Sequence, residues 1–190
     1  MPRPLLLALV LIIALLSAAF WNYTQDDVFI TYVYSRNLAE GVGFVFNPGE
    51  QVQGTTTPLW TLLMAGVYRL TPDLLHAGNL LGGSFLLVTC LFSFSLLRPH
   101  IGVLGAGAAA LLLATSPLHY ASLGMETLLY CGLLPGTFWP WHREHHTAAI
   151  LAAAALTWTR ADGVVLAGTL ILLALFDAAD SSSGRPLNPR

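Results

Sequence analysis

Apolar runs and short polar breaks alternate along the whole chain. The first run, 5–21, follows Met1-Pro2-Arg3, and later runs fall at 74–97, 101–116, 123–141, 147–159 and 163–177. Most come near the roughly 20 apolar residues that cross a bilayer as a helix. The pattern predicts an all-α polytopic membrane protein with about six transmembrane helices. The weakest of these runs are 123–141, interrupted by Pro135-Gly136, and 147–159, which is short. Ser17-Ala18-Ala19 is small enough for signal processing, but an uncleaved signal-anchor is the preferred reading of the first run.

Residues 22–57 form the longest polar stretch, within an outer loop over 22–73 read as carrying two interfacial helices. Thr24 and Asp27 have the spacing of a capping box and Gly41 suits a C′ position, so a helix is expected over 25–40. Its mixture of Phe29, Tyr32, Tyr34, Arg36 and Glu40 suits an interface rather than a span. Asn47-Pro48-Gly49-Glu50 predicts a turn, and Thr57-Pro58 predicts the start of a second helix over 58–70. At the other end, 178–190 is rich in Ser, Pro and Gly and is expected to be a disordered cytoplasmic tail.

Composition agrees with this class. Hydrophobic residues make up 55% of the chain, charged residues 9%, and mean hydropathy is +0.67, against about 25% charge in soluble domains. The net charge of -2 and the lack of any basic run exclude nucleic acid as an expected partner. Cys90 and Cys131 fall inside apolar runs and read as small core residues. An N-terminus inside the cytoplasm places Arg3, Arg98, Arg143, Arg185 and Arg190 inside, against Arg36, Arg69 and Arg160 outside. That excess agrees with the positive-inside rule.

The same parity places the candidate chemistry on one side. Asp26 and Asp27 follow the first run directly, and adjacent carboxylates there are costly unless they face water, a metal or a reacting group. Glu126 lies in Gly124-Met125-Glu126-Thr127, and Arg160 and Asp162 lie in Thr159-Arg160-Ala161-Asp162-Gly163. These loops are expected to converge on one aqueous cavity at the non-cytosolic face. More modest roles compete: Asp26 and Asp27 as helix caps, Glu126 as an interfacial carboxylate at the start of its helix, Arg160–Asp162 as a loop ion pair, and Arg36–Glu40 as a one-turn helix pair. His142, His145 and His146 read as a solvated loop, not a metal cluster. No nucleotide-phosphate loop, zinc-protease motif or nucleophile elbow occurs.

The stretch from Asp26 through R-N-L-A-E-G and N-P-G-E to P-L-W, followed by G-M-E-T-L-L-Y and T-R-A-D-G, resembles the N-terminal part of bacterial GT-C glycosyltransferases. It is similar to the group that includes the mycobacterial terminal arabinofuranosyltransferases of the cell envelope. The resemblance covers about 20–177, with the motifs in order. It implies a GT-C-like transmembrane module over 1–177 in the bacterial inner membrane. It also implies transfer of a sugar from a polyprenyl-phosphate donor to a glycan or lipid acceptor. A first-loop aspartate, Asp26 or Asp27, would be the general base; preference falls slightly on Asp26, and the residues alone do not separate the two. Arg36 or Arg160 would contact the departing phosphate, with Glu126 and Asp162 also binding substrate. A divalent cation, Mg or Mn, would rest on Asp27 and Glu126. Where relatives carry an aromatic residue and Asn before the Pro, this chain reads Q-G-T-T-T-P-L-W. Relatives are also several times longer, so a fragment, a truncated reading frame and a minimal version are all expected readings. The rival class is a non-catalytic membrane protein, either a small transporter or a subunit of a second membrane polypeptide.

Overall fold

Every regular element among the described residues is helical. The computed structural model describes residues 1–50, 52 and 54–182. Its helices are α1 (Arg3–Ala19), α2 (Asp27–Ala39), α3 (Pro58–Tyr68), α4 (Leu74–Thr115), α5 (Pro117–Ala121), α6 (Thr127–Trp141), α7 (His146–Thr159) and α8 (Gly163–Ser182). The all-α expectation holds, and each predicted element has a counterpart.

The longest helix conceals a reversal. Within α4, Gly102 has φ 70° and ψ 180°, a conformation open to glycine but strained for other residues. Cys90 reaches the Ala110 carbonyl at 3.5 Å, whereas twenty residues of straight helix would separate them by about 30 Å. The two limbs of α4, 74–101 and 103–115, therefore fold back on each other. Their shared core joins Leu86, Cys90 and Phe94 to Ala106, Ala110 and Ala114. The break predicted between 97 and 101 is this hairpin, placed a few residues later.

From there the packing runs in series: α1 lies on α4, α4 on α6, α6 on α7 and α7 on α8. α2 and α3 pair with one another as a cap, and α3 also touches α4 and α7.

Three expectations need correction. Counted through its reversal at Gly102, one helical stretch among the described residues, Leu74–Ala121, is long and apolar enough to cross a membrane, while Arg3–Ala19 and Gly163–Leu173 are apolar but shorter. About six full-length spans are therefore not found among the described residues. The physical reason is length: the 14 residues of α7 rise only about 21 Å, against a hydrocarbon core of about 30 Å. Secondly, Pro135 does not interrupt its helix, because α6 runs through both Pro135 and Pro140. Packing against α4 and α7 holds it, and Thr137 Oγ1 donates to the Leu133 carbonyl near the proline. Thirdly, α8 continues to Ser182, past the boundary at 177. The rest of the expected tail, 183–190, lies outside the described residues.

Candidate functional site

The cap forms the site, beginning with how α2 starts. The expected Thr24/Asp27 capping box is not made: α2 has no side-chain cap bond, and Thr24 Oγ1 is buried without a partner. Asp26 already has helical dihedrals, and the backbone bonds Val28→Gln25 and Phe29→Asp26 close the first turn. These bonds satisfy the N–H groups of Val28 and Phe29, the ones a capping side chain would otherwise meet. Asp27 is thereby left free.

The far end of α2 follows prediction. Gly41 has φ 82°, and the Gly41→Leu38 and Val42→Asn37 bonds form a Schellman motif. Asn37 Nδ2 then donates to the carbonyls of Val45 and Phe46, each at 2.9 Å. Gly49 at φ 86° completes the predicted Asn47–Glu50 turn. α3 starts with Pro58 as expected, but Thr57 makes no side-chain cap; its hydroxyl lies 3.1 Å from that of Thr55. Ser35 Oγ donates to the Thr61 carbonyl at 3.0 Å and fastens α2 to α3.

Two aromatic donors connect this cap to the 124–126 loop. Tyr32 Oη and Trp60 Nε1 both donate to the Gly124 carbonyl, each at 3.1 Å. Gly124 has φ 82°, a turn that a side chain would strain, and it leads directly into Met125 and Glu126. Burial raises the Tyr32 hydroxyl pKa, and the charge of Asp73 raises it further, so Tyr32 remains a proton donor at neutral pH.

Glu126 stands at the start of α6 and is 7% exposed. Arg160 ends α7 in extended conformation, which turns its side chain back toward α6. Its Nη1 donates to Glu126 Oε1 at 2.9 Å and its Nε to Asp162 Oδ1 at 3.3 Å. Partial burial works against the guanidinium charge, but Asp162 and then Glu126 outweigh it, and the pKa moves upward.

Asp27, Glu126 and Arg160 line one open cavity of about 350 Å³, together with Thr31, Trp60 and the 54–57 segment. Three predicted residues from three separate segments thus meet at one end of the bundle. Asp26 is exposed and outside this lining. Asp162 reaches the cavity only through Arg160. Arg36 lines a second cavity on the other side of α2. Asp27 and Glu126 offer hard oxygen donors of the kind Mg²⁺ uses when water and substrate phosphate complete its shell. No group of three or more His, Cys, Asp or Glu with metal-binding geometry occurs among the described residues. His142, His145 and His146 are exposed.

Sequence reading missed Tyr32, Trp60 and the threonines of 55–57. The available signal was the Q-G-T-T-T-P-L-W stretch, which holds both the threonines and Trp60. Comparison with protein-family models, characterised proteins and solved structures finds no match.

Proposed function

We propose that this chain is a GT-C-like membrane glycosyltransferase module. It would transfer a sugar from a polyprenyl-phosphate donor to a cell-envelope glycan or lipid acceptor on the extracytoplasmic face. The observation that carries the reading is the convergence of Asp27, Glu126 and Arg160 on one cavity. The motif order supports it.

In this reading Asp27 is the general base, because its carboxylate has a place in the cavity and that of Asp26 does not. It takes the proton of an acceptor hydroxyl while that oxygen attacks the anomeric carbon. The bond from that carbon to the phosphate oxygen breaks, and the lipid phosphate leaves with the electron pair. Arg160 uses Nη1 and Nε on Glu126 and Asp162, so Nη2 still has donors for the departing phosphate. Glu126 holds Arg160 in that position. A bound Mg or Mn would rest on Asp27 and Glu126 and offset phosphate charge.

Exposed apolar side chains support the membrane setting. Leu7 and Leu11 of α1, Leu104 and Leu112 of α4, and Ile171 and Phe176 of α8 are all more than half exposed. Each would leave unburied about 1.5–3 kcal/mol of transfer free energy in water. The two limbs of α4 and the α6–α7 pair are antiparallel elements suited to repeated crossing, with tilt or local thinning making up for short helices.

The test is transfer of a labelled sugar from a polyprenyl-phosphate donor in membranes carrying the protein. Asp27→Asn should lower the rate by about 10²–10⁴-fold, and Asp26→Asn should leave most of it. Full activity in Asp27→Asn would remove the assigned base. No transfer by the wild type, with a second membrane protein co-purifying, would favour the partner-subunit reading.

A further inference from the structure

On the outer side of α2 lies a second cavity of about 290 Å³, and its charges are arranged differently from those of the first. Arg36 of α2 lines it beside Phe29 and Val33, facing Asp73, Leu74 and Leu75 at the start of α4. Spacing predicts that Arg36 pairs with Glu40 one turn later. Instead Tyr68 Oη donates to Glu40 Oε1 at 2.7 Å. Asp73 meets His76 through both oxygens, at 3.2 Å from the backbone N–H and 2.6 Å from ring Nδ1. Arg36 therefore makes no ion pair among the described residues.

The cavity sits where the polar cap meets the first turn of the one long apolar run. An uncommitted guanidinium, a carboxylate with lone pairs to spare and a largely apolar wall meet there. Each answers one part of a zwitterionic lipid. The guanidinium matches a phosphodiester. A carboxylate accepts up to about four hydrogen bonds, so Asp73 can still accept from an ammonium. Val33, Leu74 and Leu75 match the first methylenes of the tails. A purely anionic lipid would leave Asp73 facing like charge, and a quaternary ammonium would offer it no hydrogen to donate.

We propose that this cavity binds the headgroup of a phosphoethanolamine lipid, with its phosphate on Arg36 and its ammonium on Asp73. The site rests on the membrane setting of the preceding reading and not on its transferase chemistry.

The test is lipid retention by the full chain in nanodiscs made from equal parts of phosphatidylethanolamine, phosphatidylglycerol and phosphatidylcholine, read by native mass spectrometry. The wild type should retain phosphatidylethanolamine up to about fivefold over the other two, the worth of one exposed ion pair. Asp73→Asn should abolish that preference, and Arg36→Gln should lower retention of all three lipids, with the melting profile checked for each. Arg69→Gln removes the same charge away from the cavity and should change nothing. Equal retention of the three lipids, preference for phosphatidylglycerol, an Asp73→Asn variant that keeps the preference, or retention unchanged in Arg36→Gln would overturn the site. So would displacement of the lipid by inorganic phosphate, which would reassign the cavity to a soluble ligand. Failure of the chain to enter bilayers sinks the membrane reading as well. Entry without the preference sinks this site alone and leaves the sugar-transfer assay to decide the other.

Discussion

The cap and the bundle differ in how far most of their hydroxyl and aromatic side chains reach for a partner. In the bundle, hydroxyls bond within their own helix: Thr89 to Phe85, Thr115 to Leu111, Thr137 to Leu133 and Thr159 to Ala155, each four residues back. In the cap several bonds reach across the chain, although Ser35 and Thr61 also bond four residues back, to the Thr31 and Thr57 carbonyls. Tyr32 and Trp60 find Gly124, Ser35 finds Thr61, and Tyr34 Oη donates to Val52 O and accepts from Gly54 N–H. A bond four residues back fixes nothing about neighbouring helices. Side-chain bonds over long separations set geometry as well as stability, and an unpaired partner is costly where water is excluded. The cap bonds thus fix how α2, α3 and the 124–126 loop meet, while Glu126 and Arg160 hold one another between α6 and α7.

The largest effect should follow removal of the residue that joins both regions. Trp60 is 1% exposed, packs in the cap core, and its ring centroid is 6.3 Å from that of Phe85 in α4. Trp60→Ala should cost about 3–5 kcal/mol, seen as a lower unfolding midpoint in detergent. A loss under 1 kcal/mol would mean that the cap does not depend on this side chain.

Gly78→Ala against Gly132→Ala is a sharper contrast at lower cost. A Cβ on Gly78 would overlap the Tyr32 hydroxyl, and the ring would have to leave Gly124. In the bundle, a Cβ on Gly132 meets Phe85 O at 3.5 Å, an ordinary contact. We expect about 1–3 kcal/mol for Gly78→Ala from overpacking and the displaced hydrogen bond, and little change for Gly132→Ala. Equal tolerance of the two substitutions, measured by thermal melts, would erase the distinction between the regions.

What the chain discloses before folding follows the same divide. Signals that act within a few residues were legible: the Schellman glycine at 41, the Asn47–Glu50 turn, Pro58 at the head of α3, and the order of the apolar helices. So was the meeting of Asp27, Glu126 and Arg160, because counting reversals places helix ends without any knowledge of packing. The Tyr32–Gly124 and Trp60–Gly124 bonds span 92 and 64 positions, and no local pattern encodes them. Competition was equally hidden. Arg36 and Glu40 have the spacing of an ion pair, yet Tyr68 takes the carboxylate from another helix. Asp26 and Asp27 differ by one residue and 100° of helix rotation, and only the folded α2 shows which of them faces the cavity.

The smallest effect tests the shared carbonyl itself. Tyr32→Phe removes one donor from Gly124 O but leaves Trp60 in place, so the carbonyl keeps a partner and the loss should be about 1 kcal/mol. Trp60→Phe alone leaves Tyr32 to do the same, with some further loss from the smaller ring. Combining the two strips the carbonyl of both donors inside a buried setting, which adds a desolvation cost neither single change incurs. The double variant should therefore exceed the sum of the singles by about 1 kcal/mol, read from a double-mutant cycle of unfolding midpoints. Simple additivity would show that the two bonds act independently, and that the 124–126 loop owes its position to something other than a carbonyl held from two helices.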